Sequence, residues 1–301
     1  MGAVFVDIKG FPDDVYIPDG RNAGKVEYIH GGVSRNVVED IANMELRPTF
    51  LSIVDESALG DAVVRKLNNH KVNTEYIQSA PNGMGTWLAV FDNNGDLAGS
   101  ISQRPDLMPL LDVLEKKGDE IFANADSIII EVDVDKEIVK KVVELCEKHQ
   151  KKLYGVVSNM SIAVERRDFL QKFDCFICNQ LEAGMFFADD FSETAPKELA
   201  EILAKKLQLA KIPSMVVTMG GAGSVYADMK GKKGFCPAKK VQVKDTTGAG
   251  DAFCAGVSSG LTYGKTLAES VEIGTRLAAS VITSSENVCP RFLPGELGIE
   301  A

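Results

Sequence analysis

The sequence predicts an α/β fold, a mainly parallel sheet covered by helices on both faces and carrying a small β appendage. Three observations predict it. From Ser127 onward, short apolar runs alternate with amphipathic stretches of helical period. Two earlier segments, 15–29 and 85–102, break that rhythm with turn signals between strand-like runs. The chain of 301 residues is 45% apolar and 25% charged, the balance of a globular protein with a substantial core.

Taken in order, SIIIEV (127–132) reads as a strand, and DKEIVKKVVELCEKH then sets Ile138, Val142, Leu145 and Cys146 at helical spacing. LYGVV (153–157) and FDCFIC (173–178) are again strand-like, PKELAEILAKKLQLA (196–210) is helical, and SMVVTM (214–219) is a strand. Strand, helix, strand in succession implies parallel pairing, and right-handed crossovers gather the loops after the strands along one carboxyl edge, where such sheets bind ligands. Asn94-Gly95 marks a hairpin turn between the strand-like runs of 85–102. No repeat, low-complexity tract or linker divides the chain, so residues 1–301 read as one domain, with a lid formed by insertions near 13–30 and 83–103.

Lys and Arg total 33 against 43 Asp and Glu, and a net charge of −10 repels nucleic acid polymers and anionic membranes. A small anion is still admissible, because backbone N–H groups and a metal can make one site locally positive. No apolar run approaches the ~20 residues of a membrane span, and MGAVFVDIKG lacks the basic and apolar regions of a signal peptide, so the cytoplasm is the expected location. Six scattered cysteines read as reduced thiols. Cys175 and Cys178 have redox or zinc spacing, but on a strand they point to opposite faces and make a poor chelate. His30, His70 and His149 are separated and lack ligand spacing.

The stretch VQVKDTTGAGDAFCAGVSSG (241–260) is the most informative. A short β-type run, Val241 to Val243, leads into Asp245-Thr246-Thr247-Gly248-Ala249-Gly250-Asp251, after which small and apolar residues continue with helical spacing. Glycines opening a helix leave N–H groups unpaired, and with the helix dipole these make an anion site that fits a phosphate. Asp251 then lies just inside the helix, beside that anion. A carboxylate there is electrostatically unfavourable unless it serves a purpose, such as taking the proton of an attacking hydroxyl. Capping alone asks for one Asp and leaves two glycines and a second Asp without a role.

Gly31-Gly32 precede a helix read over Val33 to Met44 with Asn36 a turn later; alone, the glycines are equally a turn. Asn179 and Glu182, three apart at a strand-to-helix junction, share a helix face at the ligand edge, with plain capping as the alternative. Thr218, Gly220 and Gly223 follow a strand, but SVYADM after them alternates like another strand, whereas a dinucleotide fingerprint must open a helix. GLTYGKT (260–266) is one residue short of a Walker A loop and follows a helical stretch. Asp7, in VFVDIKG, is expected to end the first strand at the ligand edge.

DTTGAGDAF closely resembles the C-terminal signature of the ribokinase-like, or phosphofructokinase-B-type, carbohydrate kinases. HGGVSRNVVEDIANM (30–44) is similar to that family's Gly-Gly-x-x-x-Asn motif, CNQLEAG (178–184) to its Asn-x-x-Glu segment, and TMGGAGS (218–224) to its Thr-x-Gly-x-x-Gly nucleotide loop. The resemblance implies a three-layer fold and ATP-dependent phosphorylation of a primary hydroxymethyl group on a ribose-type sugar or nucleoside. It implies Asp251 as catalytic base, ionised at neutral pH with an ordinary pKa of ~3.9, and Gly248, Ala249 and Gly250 amides as anion hole. Asp7, Gly31, Gly32 and Asn36 would hold the sugar, and Asp133 falls where related ribokinases place an acidic sugar contact. Asn179 would face the phosphates, Glu182 would hold Mg²⁺ through water, Thr218, Gly220 and Gly223 would bind nucleotide, and Asp245 matches a monovalent-cation (K⁺) site. Within the family the chain is most similar to pseudouridine kinases, on the arginine of GGVSRN, on NAGKVEYIHGG, WLAVFDNNGDL and CNQLEAG, and on SENVCP, where Asn287 stands in place of a Thr. Pseudouridine is then the expected acceptor, with a general ribose, fructose or deoxysugar-acid kinase, or a non-catalytic sugar or nucleotide sensor, as alternatives. A sheet-edge lid with apolar residues fits a homodimer.

Overall fold

The computed structural model describes residues 1–300. The first third contains β1 (Phe5–Pro12), β2 (Gly24–Gly31), α1 (Val33–Asn43), β3 (Ser52–Val54), α2 (Ala58–Asn69), β4 (Ile77–Ser79), β5 (Gly85–Phe91) and β6 (Leu97–Gln103). The alternating part follows: α3 (Pro109–Asn124), β7 (Ser127–Glu131), α4 (Lys136–His149), β8 (Lys152–Val156), the short α5 (Met160–Ala163) and α6 (Arg167–Leu170), β9 (Cys175–Asn179), α7 (Gln180–Phe187), α8 (Pro196–Ala210) and β10 (Ser214–Thr218). The chain ends with β11 (Ser224–Asp228), β12 (Lys233–Cys236), α9 (Ala249–Thr262) and α10 (Leu267–Val281).

The main sheet has the order β12-β11-β10-β9-β8-β7, with β7 to β10 parallel and the last two strands antiparallel. Apolar side chains from both faces of these strands need cover, and amphipathic helices supply it. Leu110 of α3, Ile138 and Val142 of α4, and Leu199 and Leu203 of α8 pack on one face with Phe176 and Cys178. Val37 of α1, Phe253 and Val257 of α9, and Leu277 of α10 pack on the other with Cys175 and Ile177. Cys175 and Cys178 thus point into different cores, as strand geometry requires, and burial pushes the Cys175 thiol up to about 12.

A second sheet, β2-β1-β5-β6, is built largely from the segments expected to form a lid. The first strand changes sheets to reach it. Residues 1–3 run beside β7, where the Glu131 N–H donates to the Met1 carbonyl at 3.1 Å, and the Gly2 N–H donates to Leu51 at 3.3 Å. The chain then leaves the main sheet and pairs as β1 with β2 and β5. Asp7 therefore lies within a lid strand and does not end a main-sheet strand. The hairpin β5–β6 turns at Asn94-Gly95 as read, with Gly95 at φ 85° and a register shift between Val90 and Phe91. Two strand-like readings fail: Val15 and Ile17 lie exposed in a loop before β2, and Val241 to Val243 form no strand. Both runs are apolar without a partner edge to pair with, so propensity alone does not extend them.

Candidate active site

The carboxyl edge of the main sheet collects the polar motifs. Asp133 follows β7, Ser158 follows β8, Asn179 closes β9 and Thr218 closes β10, while Gly248 caps the N-terminus of α9. Gly248 adopts φ 79°, and a Cβ there would collide with the Asn287 carbonyl oxygen, so both conformation and space demand glycine. The Ala249 N–H turns back onto the Thr246 carbonyl at 3.2 Å and is not available to a ligand. Among the described residues, the N–H groups of Gly248, Gly250 and Asp251 donate to no oxygen, and the space beside Gly250 is open. Of the three amides expected to form an anion hole, that of Ala249 is thus engaged within the loop, and the open ones are those of Gly248, Gly250 and Asp251.

Asp251 is the third residue of α9, deeper than the motif suggested, and Asn36 of α1 donates from Nδ2 to its Oδ2 at 2.6 Å. Burial pushes this carboxyl up to about 7; the Asn36 hydrogen bond and the Arg35 charge pull it down, and the Glu182 charge pushes it further up. The expectation of an ordinary carboxylate at neutral pH is therefore corrected. Asp7 faces the same region. Its carboxylate rests against Gly31, where a Cβ would come within 2.9 Å of Oδ2, and among the described residues it accepts no hydrogen bond. Burial raises its pKa against the charges of Lys9 and Arg35. Gly32 caps α1 at φ 99°.

Asp133 does not present a free carboxylate. Its two oxygens accept from the Ser158 N–H at 2.9 Å and the Ser158 hydroxyl at 2.8 Å, tying the ends of β7 and β8 together. Asn179 and Glu182 form a reciprocal cap of α7: Asn179 Oδ1 accepts the Glu182 N–H at 2.9 Å and Glu182 Oε2 accepts the Asn179 N–H at 2.7 Å. This leaves Glu182 Oε1 and the Asn179 amide nitrogen without hydrogen-bond partners among the described residues. One hard carboxylate oxygen suits Mg²⁺, which keeps waters and takes phosphate oxygens from its substrate. No cluster of three acidic, His or Cys groups stands among the described residues, so a divalent ion here would draw most of its ligands from phosphate and water. Thr218 pairs with Asn179 and Ser224, and the Gly220–Ala222 turn after it leaves Gly220 facing open space at φ 53°, with Gly223 at φ 111°. Asp245 is exposed and accepts the Thr247 N–H at 2.8 Å, which holds its carboxyl below the usual range.

Two residues that the motifs contain received no site role from the sequence. Arg35 is 1% exposed and pairs with Glu39 at 2.6 Å; the Arg-x-x-x-Glu spacing of one helix face was the available signal. Trp87 stands opposite Asp7 in the β1–β5 register, on the same lid face, edge-on to Phe91, which stacks on Phe11 at 5.0 Å. Alternation in the sequence names two faces, and only the strand pairing says which one carries Asp7.

A model of the pfkB family carbohydrate kinases matches residues 1–289. Among curated relatives, a guanosine-inosine kinase of Exiguobacterium acetylicum is 35% identical over 289 residues, spanning 95% of this chain and 94% of its own. A pseudouridine kinase of Escherichia coli (strain K12) is 24% identical, spanning 90% of this chain and 85% of its own. In fold, the chain is similar to an Arabidopsis thaliana ribokinase complexed with ribose and ATP, at a TM-score of 0.84 and 18% identity over 98% of this chain and 96% of that one. The ribokinase fold expected from the motifs is present, and the chain belongs to the pfkB family of carbohydrate kinases.

Proposed function

We propose that the protein transfers the γ-phosphoryl group of ATP to the 5′-hydroxyl of a ribonucleoside. The observation that carries this reading is the Asp251 carboxylate, bonded by Asn36 and set beside three open amides at the start of α9. Asp251 accepts the proton of the 5′-hydroxyl as its oxygen bonds to the γ-phosphorus, and the bond from that phosphorus to ADP breaks. The Gly248, Gly250 and Asp251 N–H groups hold the phosphoryl oxygens, contacts of a type worth roughly 3–4 kcal/mol per donor in other enzymes. Glu182 Oε1 and the adjoining edge would hold Mg²⁺, which supplies charge neutralisation on the nucleotide phosphates when bound. Thr218 and the Gly220–Gly223 loop would cradle the nucleotide, Asp245 would border a K⁺ site, and Asp7 with the Gly31-Gly32 loop would orient the ribose hydroxyls.

The acceptor reading favours guanosine or inosine over pseudouridine, because the relative named for the purine nucleosides is the more similar of the two. Trp87 beside Asp7 supports a nucleoside over a free sugar, since a ring held by Asp7 would set its base against an aromatic face. Six free thiols and the absence of a helix long and apolar enough to cross a membrane, among the described residues, support a cytoplasmic enzyme. The exposed lid residues Val26, Tyr28, Leu88 and Ile101 support a homodimer through the lid.

The test is an acceptor panel with ATP and Mg²⁺. Guanosine and inosine should give the highest kcat/KM, pseudouridine less, and ribose and fructose least. Trp87, the sole tryptophan, should change its fluorescence on adding the preferred nucleoside but not ribose. Asp251→Asn should lose at least ~100-fold in turnover while still binding ATP. Wild-type turnover in that variant would refute the base assignment, and preference for free sugars would refute the nucleoside reading.

A further inference from the structure

The carbonyl oxygen of His30, the residue before Gly31-Gly32, receives one donor from five residues along, in α1, and another from 257 residues downstream. From α1, the buried Arg35 donates through Nη2 to His30 and through Nε to the Gly31 carbonyl at 3.3 Å. From the segment after α10, Asn287 donates through Nδ2 to the same His30 oxygen at 3.1 Å. A carbonyl has two lone pairs, and here both are directed at protein donors. The backbone of Asn287 closes the other side, with its carbonyl oxygen packed against Gly248 so tightly that no Cβ fits. One residue therefore touches the acceptor loop with its side chain and the anion-hole loop with its backbone. Arg35 is held in turn by Glu39, whose second oxygen meets Lys66 of α2 at 3.0 Å.

We infer that Arg35 and Asn287 are positioning residues that clamp the His30 carbonyl between them and thereby fix the acceptor loop relative to the Gly248 amide. A planar fork is needed for this, because Nη1, Nε and Nη2 serve Glu39, Gly31 and His30 in three directions, which a lysine ammonium on a single stem does not reproduce. The inference rests on the acceptor reading above, in which the His30–Gly32 loop borders the ribose.

The experiment uses the full chain with ATP, Mg²⁺ and the best acceptor of the panel. Asn287→Ala and Arg35→Lys should each lower kcat/KM for the acceptor by about 10- to 100-fold, the scale of a modest misplacement of a reacting group, with KM for ATP within about twofold of wild type. Asn287→Thr, which keeps a hydroxyl donor, should recover part of the loss. The acid limb of the pH profile should stay in place in these variants, because the cation near Asp251 is kept. Arg35→Met combined with Glu39→Met removes the ion pair without leaving an unpaired buried charge, and should move that limb to higher pH. The groups left facing Asp251 are then Asn36 and Asp40 of α1, Glu182 of α7 and Cys254 of α9, none of them cationic. The inference is overturned if Asn287→Ala and a folded Arg35→Lys keep acceptor kcat/KM within twofold, or if KM for ATP rises as much as KM for the acceptor. If Arg35→Lys does not fold, Asn287→Ala, on a half-exposed side chain, decides alone. Loss of the base assignment would appear separately, as turnover surviving in Asp251→Asn.

Discussion

Asp251 and Asn36 meet at 2.6 Å across a sequence separation of 215 residues, and that bond opposes burial, the larger effect, in setting how the Asp251 carboxyl titrates. The carboxyl is raised to about 7, so the proton-accepting form grows as pH rises toward that value and saturates above it. We expect kcat/KM for the acceptor to climb about tenfold per pH unit below that midpoint and to level off beyond it. Asn36→Ala removes a donor to the ionised form, so its acid limb should lie at higher pH than that of the wild type; an unmoved limb would show that Asn36 does not act on Asp251. For folding the sign is opposite. A carboxyl whose pKa is raised by folding keeps its proton longer in the native state, so its contribution is present below the unfolded value of 3.8 and is lost as pH rises toward about 7. Asp251 was legible as a candidate base in the spacing of Gly248, Gly250 and Asp251. Its titration was not, because burial and Asn36 come from tertiary packing.

At the scale of elements, the pair Asn179 and Glu182 caps α7, and Glu182 is proposed to hold Mg²⁺ as well. The capping box of Asn179 and Glu182 is a structural device, yet it leaves Glu182 Oε1 turned to the carboxyl edge. Glu182→Gln keeps an acceptor for the Asn179 N–H, so stability should stay within about 0.5 kcal/mol, while loss of the charge should raise the Mg²⁺ concentration needed for half-maximal rate. Asn179→Ala should instead cost about 1 kcal/mol in thermal or chemical unfolding by uncapping the helix. A Glu182→Gln enzyme with wild-type Mg²⁺ dependence would assign that carboxylate to the cap alone. Helices such as α4 and α8 were legible to within a residue because a one-sided apolar stripe between clear end signals leaves one solution. The first strand was not, since a continuous run from Ala3 to Ile8 carries no mark of where it passes from one sheet to the other.

For the whole molecule, the β2-β1-β5-β6 sheet has two faces of different composition. Asp7, Trp87 and Phe91 share one, and Tyr28, Leu88 and Ile101 share the other, where Tyr28 is 60% and Ile101 68% exposed. Contiguous exposed apolar side chains of this kind are expected to be covered by another surface. Sedimentation should therefore give a dimer at micromolar concentration for the wild type and a monomer for Tyr28→Glu with Ile101→Glu. A monomeric wild type would remove the homodimer. The crossing of the first strand also has a consequence during synthesis. Its partner on β7 lies 128 residues downstream and the base that Asn36 holds lies 215 residues downstream. At roughly 5–20 residues per second, the ribosome would hold back the first of these partners for on the order of six to twenty-six seconds. Through that interval the nascent amino-terminal segment has an unpaired edge, which makes it the natural place for a chaperone to wait.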